Sequence, residues 1–364
     1  MDCFISVRNR MIIKNYTDTN FITGMRAFAA FSVLLIHSGG GGLRAYGEIG
    51  NNIVDFGAKG VAVFFVISGY SVATSYKTSR GYWNYLNKRF WRIAPLYYFW
   101  ISIAIFFGIT ATYWQTQFST SINLYNILMH LSFMSYLDYK IANTILGVEW
   151  SIPIEFFWYL LIPFCMKWMI NRKQLFMSII LSYLCFKLTL NHPTVLPVSS
   201  QNSLLAMTWS PIPYALGFFL GVTAFRLRQS DYDFTKWADL ILVGCLLATI
   251  LAIFKLDPDS SNSYVFFSTV TFLIILCGTD SNQFYSRVFT NKVVLYLGTI
   301  SYGIYLSHLP LLVLLNRYNL VTEDFMFNKL IVLSLFTVIA STVSNFFIEQ
   351  PFQSLGKFLT KTTT

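Results

Sequence analysis

Two side chains capable of chemistry, Arg26 and His37, stand in the otherwise apolar stretch 21–38, FITGMRAFAAFSVLLIHS. They are eleven residues apart, which on an α-helix is about three turns and about 16 Å of rise, so both lie near one face. An imidazole can act as a general base or as a nucleophile, and a guanidinium can polarise a carbonyl group or bind phosphate. This pattern is typical of a helix that takes part in a reaction.

An arginine at membrane depth costs on the order of 3 kcal/mol on the lenient insertion scale, so it normally faces a protein interior or a wet cavity. The alternative is that Arg26 extends to the cytoplasmic surface while His37 sits at the opposite interface. The stretch alone leaves both interpretations open, and the residues that other helices bring to this face decide between them.

The elements that position these residues are predicted to be membrane helices. Of 364 residues, 55% are hydrophobic and 12% are charged, whereas charged residues make up about a quarter of a soluble protein. Residues 1–20 lack the apolar stretch of a cleavable signal peptide. The apolar runs predict an all-α transmembrane bundle of about ten helices, near 21–38, 57–75, 92–110, 146–168, 174–190, 205–225, 237–254, 264–278, 293–315 and 327–349.

Some apolar segments carry features that a simple span lacks. Pro153 and Pro163 predict a broken or kinked helix in 146–168. The apolar stretch 122–137 is too short to span and is predicted to be re-entrant or interfacial. Gly217 and Gly221 form a GxxxG pair, which indicates either a contact within the bundle or a dimer face.

The basic residues predict the orientation, because cytoplasmic loops are enriched in Lys and Arg. Connections on one side hold 18 of the 26 basic residues: Arg8, Arg10, Lys14, Lys77, Arg80, Lys88, Arg89, Arg92, Lys167, Arg172, Lys173, Arg226, Arg228, Lys236, Arg287, Lys292, Lys357 and Lys361. The other side holds Arg44, Lys140, Lys187, Lys255, Arg317 and Lys329. Both termini are therefore predicted to be cytoplasmic, and the formal charge of +10 is a topology signal rather than a nucleic-acid surface.

The five cysteines are scattered, so neither a disulfide framework nor a metal site is expected.

A basic cluster occupies the connection 87–95, NKRFWRIAP, where the chain re-enters the membrane. Arg89 and Arg92 are three residues apart and share a helical face. Paired guanidinium groups suit a polyanion with phosphate oxygens. Anionic lipid head groups are the alternative partner.

Two glutamates accompany this cluster. Glu155 lies in the aromatic run WSIPIEFFWYL, residues 150–160, and needs a cationic partner or a proton. An ion pair with Arg26 or Arg92 and a catalytic role are both open. Glu349 returns to the cytoplasmic interface and is predicted to pair with Arg89 or Arg92.

Further polar residues lie on the predicted second, fourth and ninth helices. Ser301, Tyr305 and His308 are spaced by four and three residues and form one polar stripe. Ser68 and Ser151 are candidates for hydrogen bonds to neighbouring helices or to substrate.

Six motifs in order make the chain recognisable: GMRAFAAFSVLLIHS, GVAVFFVISGY, KRFWRIAPLYY, WSIPIEFFWYL, GTISYGIYLSHLPL and IEQPF. Together they resemble the acyltransferase 3 family of membrane acyltransferases, from about residue 21 to residue 352. The resemblance implies residues 1–20 as a cytoplasmic segment, residues 21–352 as a transmembrane acyltransferase domain and residues 353–364 as a cytoplasmic tail. It also implies a multi-pass protein of the bacterial inner membrane.

The resemblance implies that an acyl group, usually acetyl, moves from cytoplasmic acetyl-CoA to a hydroxyl of a glycan or lipid-linked glycan. Typical acceptors are O-antigen, capsule and exopolysaccharide, and partners would include membrane lipids and other glycan-assembly proteins. The family's arginine–histidine pair falls on Arg26 and His37, its Arg-x-x-Arg on Arg89 and Arg92, and its acidic position on Glu155. His37 would be the general base or the acyl carrier, with Arg26 on the carbonyl or on phosphate.

Two features depart from the family pattern. Phe156 stands where relatives often have a second acidic residue, which argues against a paired-carboxylate mechanism. The extracytoplasmic hydrolase-like domain of many relatives has no counterpart in these residues.

Other hypotheses are a transporter or flippase for a lipid-linked glycan and a non-catalytic subunit of a glycan-assembly complex.

Overall fold

The protein is seen in a computed structural model that describes residues 2–230, 237–278, 284–321 and 328–362, without the side chains of 2–19, 200, 284–286 and 361–362. Lys236 of the predicted orientation signal lies outside the described residues, and so do the side chains of Arg8, Arg10, Lys14 and Lys361.

Within those ranges the chain is all-helical, without a β-strand. The α-helices are α1 (Asp2–His37), α2 (Gly47–Asp55), α3 (Gly60–Lys77), α4 (Tyr82–Phe106), α5 (Thr112–Gln117), α6 (Leu124–Leu131), α7 (Ser151–Trp168), α8 (Arg172–Asn191), α9 (Ser200–Thr208), α10 (Ala215–Arg228), α11 (Ala238–Lys255), α12 (Ser261–Gly278), α13 (Phe284–Thr290), α14 (Lys292–Thr299), α15 (Ser301–Arg317), α16 (Asn328–Ser344) and α17 (Gln350–Thr362). Short 3₁₀ turns lie at Leu43–Tyr46, Phe56–Lys59, Ser135–Leu137, Pro193–Val195 and Ile212–Tyr214. A π-helical turn, Asn345–Glu349, joins α16 to α17.

Six described segments are long and apolar enough to cross a membrane, judged by length and composition: Asn20–His37, Leu43–Lys77, Arg172–Asn191, Ala238–Lys255, Ser261–Gly278 and Asn328–Thr360. Two bent helix pairs raise the number to eight if each is one span: Gln201–Thr208 with Ile212–Arg228 at 51°, and Lys292–Thr299 with Ser301–Arg317 at 65°. The other two predicted spans fall on α4 and α7, which are 25 and 18 residues long. Ten spans and cytoplasmic termini stay predictions.

Several predicted boundaries differ from the structure. Helix α4 begins at Tyr82, so Lys88, Arg89 and Arg92 lie within a helix rather than in a connection. Helix α7 is continuous from Ser151 to Trp168 with Pro163 inside it, so the helix is not broken there. Pro153 falls in the first turn, where its missing N–H leaves no intrahelical bond unmade. The stretch 122–137 forms only the short helix α6 and a 3₁₀ turn. The described parts of the two predicted terminal segments, residues 2–20 and 353–362, belong to α1 and α17.

Close glycine contacts place α3 at the centre of the bundle, against α1, α7, α10 and α12. A methyl group on Gly221 would lie 2.1 Å from the Val66 carbonyl oxygen, and one on Gly69 would lie 2.1 Å from the Phe218 carbonyl oxygen. Gly217 packs against the same helix α3, since a methyl group on Gly217 would lie 3.1 Å from the Phe65 side chain. The GxxxG pair is therefore a contact within the bundle.

Helices α8, α11 and α16 form the outside of the bundle. Their large apolar side chains are exposed along whole faces, as with Phe176, Leu247 and Leu335. Such continuous apolar surface suits a lipid bilayer rather than water.

The segment between α4 and α7 is held by buried polar groups. The His130 Nε2 atom lies 3.6 Å from a Glu149 carboxylate oxygen, and both side chains are fully buried. Asn126 donates to the Thr144 hydroxyl over 3.0 Å. This network was not predictable from the sequence, because Thr144 and Glu149 lie in a separate segment at least 14 residues after Asn126 and His130.

Candidate active site

Helices α1 and α15 bring two histidines together near one end of the bundle. The His37 Nδ1 atom lies 2.9 Å from the His308 Nε2 atom, and the two rings stack with centroids 5.0 Å apart. His308 is 1% exposed, whereas His37 is only partly buried. The predicted polar stripe on α15 therefore ends in a direct contact with the predicted catalytic residue.

The neighbours of His308 determine where the protons sit on two neutral rings. Its Nδ1 atom lies 2.8 Å from the carbonyl oxygen of Tyr305 and must carry the hydrogen, because a carbonyl can only accept. The His308 Nε2 atom is then an acceptor, and the His37 Nδ1–H donates to it. The remaining nitrogen of His37, Nε2, keeps its lone pair and can accept a proton or attack a carbonyl carbon.

An inner cavity of about 240 Å³ opens between α1, α3, α4, α7 and α15. Its polar lining holds predicted residues from six of the motifs: Arg26, Ser68, Arg89, Arg92, Ser151, Glu155, Ser301, Tyr305 and Glu349. The chain thus brings three cations and two carboxylates, drawn from segments far apart in sequence, around one space. Arg26 lines this cavity inside the protein, so the alternative that it only extends to the membrane surface is wrong.

Ser71 on α3 joins two of the arginines. Its hydroxyl accepts a hydrogen bond of 2.7 Å from Arg26, and its carbonyl oxygen accepts one from Arg89. Arg89 is 4% exposed, its Nε–H has no partner among the described residues, and its guanidinium lies 5.2 Å from the ring centroid of Tyr159. Sequence analysis missed Ser71, whose only signal was its position three residues after Ser68 on the same helix face.

Arg92 differs from the other two arginines. It lines the inner cavity and is half-buried, yet no described residue forms a hydrogen bond or an ion pair with it. A guanidinium has five N–H donors, and a buried donor without a partner is costly. Arg92 is therefore available for an anion in the cavity.

Glu155 is satisfied by hydroxyl groups. It accepts hydrogen bonds from Ser68 and, over 2.5 Å, from Tyr159. No oxygen of Glu155 lies within ion-pair distance of Arg26 or Arg92, so of the two interpretations left open for Glu155 the ion pair is absent. Hydroxyl donors on α3 and α7 contact the carboxylate instead.

The side chain of Phe156 points away from this cavity. Its ring stacks on Phe133 at 4.3 Å between centroids and does not line the inner cavity. A carboxylate at this position would enter an aromatic cluster instead of the site.

The π-helical turn presents Glu349 to the inner cavity. Its carboxylate accepts hydrogen bonds from Asn345 over 3.1 Å and from Gln353 over 2.9 Å. The expected ion pair with Arg89 or Arg92 is absent from the described residues, because amide donors from the adjoining turns satisfy the carboxylate.

Tyr305 connects the inner cavity with the histidine pair. Its hydroxyl lies 2.7 Å from Ser151 Oγ and donates to the Val148 carbonyl oxygen over 2.9 Å. Ser301 lines the cavity one turn earlier, whereas neither His37 nor His308 does. The cavity therefore ends about one helical turn short of the histidines.

A second, larger space, the mouth cavity, adjoins the inner cavity and shares Arg26, Ser71, Arg89, Arg92 and Gln353 with it. Its volume is about 640 Å³. Its other lining residues are Ile22, Tyr70, Thr74, Ser75, Thr78, Arg80, Asn84, Lys88, Lys357 and Thr360. Together the two cavities form a path from the basic end of the bundle towards Tyr305.

Comparison with known proteins bears on this arrangement. A sequence model of an acyltransferase domain family matches residues 19–349, which include every predicted site residue. No solved structure matches the chain significantly.

Three relatives are similar over most of this chain. YrhL of Bacillus subtilis (strain 168), provisionally named a peptidoglycan O-acetyltransferase, is 24% identical over 92% of this chain and 55% of its own length. The O-acetyltransferase OatA of Staphylococcus aureus (strain NCTC 8325 / PS 47) is 22% identical over 92% of this chain and 57% of its own length. A protein of Acidianus two-tailed virus, ORF330, provisionally named an acetyltransferase, is 25% identical over 81% of this chain and 83% of its own. The chain spans little more than half the length of the first two.

Proposed function

The chain belongs to the acyltransferase 3 family, and from this premise we propose that it is a multi-pass membrane O-acetyltransferase. It transfers an acetyl group from cytoplasmic acetyl-CoA to a hydroxyl of a cell-envelope glycan. The observation that carries the proposal is the inner cavity, where Arg26, Arg89 and Arg92 converge on a path that leads towards the histidine pair.

The donor enters through the mouth cavity, which faces the cytoplasm in the orientation predicted from the basic residues. Arg92, with Arg89 and Arg26, holds its phosphates, because guanidinium groups make charge-assisted bonds to phosphate oxygens. The thioester arm extends along the inner cavity past Glu155 towards Tyr305. To reach His37 the thioester must cover about one further helical turn, which requires a movement of the donor or of the Tyr305 side chain.

His37 then activates the acceptor. Its Nε2 atom takes the hydroxyl proton while the hydroxyl oxygen attacks the thioester carbonyl carbon; the carbon–sulfur bond breaks, and the CoA thiolate takes the proton from His37. In the other route Nε2 attacks the carbonyl carbon first, the carbon–sulfur bond breaks, and CoA leaves as the thiolate. The acceptor hydroxyl then attacks the acetyl carbon, the carbon–nitrogen bond breaks, and the hydroxyl proton passes through the freed imidazole to the CoA thiolate. Both routes use the nitrogen that the contact with His308 leaves free.

His308 is a positioning residue in either route. It fixes the ring and the tautomer of His37, and its Nε2 atom accepts from the imidazolium that forms when His37 takes a proton. Glu155 contributes a negative charge near the cavity arginines while two hydroxyl groups hold it in place.

The acceptor is proposed from the relatives. The name of YrhL refers to peptidoglycan, which favours a peptidoglycan hydroxyl, or its lipid-linked precursor, over O-antigen, capsule or exopolysaccharide. The setting is the bacterial cytoplasmic membrane. If the acetyl group must pass to a further domain outside the membrane, a separate protein or another chain segment supplies that domain.

The test uses purified protein in nanodiscs and follows free CoA thiol released from acetyl-CoA, with and without a lipid-linked glycan fraction. Wild type should release CoA, and His37→Ala should abolish release, whereas the exposed and distant His192→Gln should leave it unchanged. If wild type binds the glycan fraction but neither binds nor consumes acetyl-CoA, the transporter hypothesis replaces this proposal. If His37→Ala releases CoA as wild type does, His37 is not the catalytic residue.

A further inference from the structure

The mouth cavity and the inner cavity differ in charge. The inner cavity has three arginines and the two carboxylates of Glu155 and Glu349. The mouth cavity has six basic residues and no acidic one among its described lining: Arg26, Arg80, Lys88, Arg89, Arg92 and Lys357. A cavity with this charge favours a ligand group that carries more than one negative charge.

Three of those cations belong to the mouth alone. Arg80 and Lys357 are exposed, and no described residue forms a hydrogen bond or an ion pair with either side chain. Lys88 is half-buried, and its Nζ atom reaches only the Ser79 hydroxyl, at 3.3 Å. All three side chains therefore have donors to spare for a ligand.

The C-terminal helix α17 forms one wall of the mouth. Gln353, Lys357 and Thr360 line the cavity at spacings of four and three residues, which places them on one helix face. This wall lies beyond residue 349, where the family match ends. The segment predicted as a cytoplasmic tail is thus part of the cavity.

Helix α17 is docked firmly on α4. The ring of Phe352 stacks on Trp91 at 5.7 Å between centroids, and Gly356 packs directly against the same Trp91 side chain. Asn84 donates to the Thr360 carbonyl oxygen over 3.2 Å. These contacts hold Lys357 at a fixed place on the rim of the cavity.

We propose that Lys88, Lys357 and Arg80 form a subsite for a phosphate monoester, and that its ligand is the 3′-phosphate on the adenosine end of coenzyme A. This inference rests on the proposed function. The 3′-phosphate is the most charged phosphate of the donor and lies at the end farthest from the thioester. A donor whose thioester points to Tyr305 places that phosphate in the mouth, next to the basic residues that no acidic residue neutralises.

The phosphate of an anionic lipid head group has related chemistry and could reach the same cations. The two sources are distinguished by the donor, because only coenzyme A carries a 3′-phosphate. The experiment therefore compares acetyl-CoA with acetyl-3′-dephospho-CoA in nanodiscs of phosphatidylcholine, with and without phosphatidylglycerol.

Wild type should have a kcat/KM at least about tenfold higher for acetyl-CoA than for the dephospho donor, the size of one charge-assisted bond. Lys357→Ala and Lys88→Ala should each raise KM for acetyl-CoA and leave KM for the dephospho donor unchanged, so that the preference falls towards one. Lys173→Ala, an exposed lysine that lines neither cavity, should keep the preference.

The inference is overturned if wild type uses both donors equally or if the preference survives in both variants. It is also overturned if Lys357→Ala and Lys88→Ala raise KM only in nanodiscs that contain phosphatidylglycerol, and by the same factor for both donors, because the ligand is then a lipid. Calorimetry with adenosine 3′,5′-bisphosphate and with ADP needs no turnover: tighter binding of the bisphosphate, lost in Lys357→Ala, supports the subsite even if acetyl-CoA is not consumed. If the protein consumes acetyl-CoA but binds the bisphosphate and ADP equally well, the acetyltransferase proposal stands and the subsite proposal fails.

Discussion

The Nδ1 atom of His37 lies 2.9 Å from the Nε2 atom of His308, although the two residues are 271 positions apart in the chain. The contact joins the first long helix to α15 and leaves a single imidazole nitrogen free for chemistry. The contact also accounts for the buried histidine, His308, in the polar stripe on α15.

We predict that His308→Ala lowers kcat by about tenfold to a hundredfold, the cost of a small misplacement of a catalytic group, with little change in KM for acetyl-CoA. The His37 ring loses the acceptor that fixes its tautomer. The pH profile of kcat should also shift, which a purely structural loss would not cause. His308→Gln, whose amide oxygen can accept, should restore part of the activity.

The control is His192→Gln, and folding is checked by size-exclusion chromatography. An unchanged pH profile together with full activity of His308→Ala would show that the histidine contact has no role in the reaction.

The two arginines of the Arg-x-x-Arg motif should behave differently. Arg92→Ala should raise KM for acetyl-CoA about tenfold or more, the effect of losing a charge-assisted bond, with an unchanged melting temperature, because Arg92 has no partner among the described residues. Arg89→Ala should lower both donor binding and the melting temperature, because it removes a buried side chain that donates to the Ser71 carbonyl oxygen and packs on the ring of Tyr159. Thermal unfolding and steady-state kinetics measured on the same preparations test this. Equal melting temperatures for the two variants would contradict it.

Phe156→Glu introduces the second acidic residue that relatives often carry, but we expect loss rather than gain. The ring that stacks on Phe133 is removed, and a carboxylate enters an aromatic cluster, at a cost of about 3 kcal/mol or more in the free energy of unfolding. Phe156→Leu, which stays apolar, should lose less. Higher acetyl transfer by Phe156→Glu would mean that this position reaches the site.

Gly356→Ala tests whether the docking of α17 matters for the mouth cavity. An added methyl group would lie 2.7 Å from the Trp91 Cβ atom, so the helix must move away from α4. We expect KM for acetyl-CoA to rise about fivefold to tenfold as Lys357 is displaced, within the range of a charged hydrogen bond, while kcat stays near the wild-type value. Gly244→Ala, whose methyl group meets nothing within 4 Å, is the matched control, and equal KM values for the two variants would contradict the prediction.

Much of the fold follows from the sequence because long apolar runs are a strong signal. Each predicted span corresponds to a helix or to a bent helix pair. The bend of 65° before Ser301 was not predictable, because it depends on packing: a methyl group on Gly298 would lie 1.9 Å from the Thr23 carbonyl oxygen of α1. The start of α4 at Tyr82 was also missed, since its first turns are too polar to resemble a span.

Most of the residues that line the inner cavity were candidates from the sequence, but their contacts were not predictable. Motif spacing indicated Arg26, His37 and Glu155, yet a charge pattern cannot tell which donors bind a carboxylate, and the contacts of Glu155 are hydroxyl groups rather than an arginine. The contact of His37 with His308 depends on how α1 and α15 pack, which one helix cannot reveal. The wall formed by α17 was missed because a short polar segment after the last span resembles a free tail.

In the proposed reaction acetyl transfer depends on the free Nε2 atom of His37. The most direct measurement follows a labelled acetyl group from acetyl-CoA into a lipid-linked glycan fraction, using wild type, His37→Ala and His192→Gln in identical nanodiscs. We predict label in the glycan with wild type and His192→Gln and none above background with His37→Ala. Label transferred by His37→Ala at the wild-type rate would contradict the account.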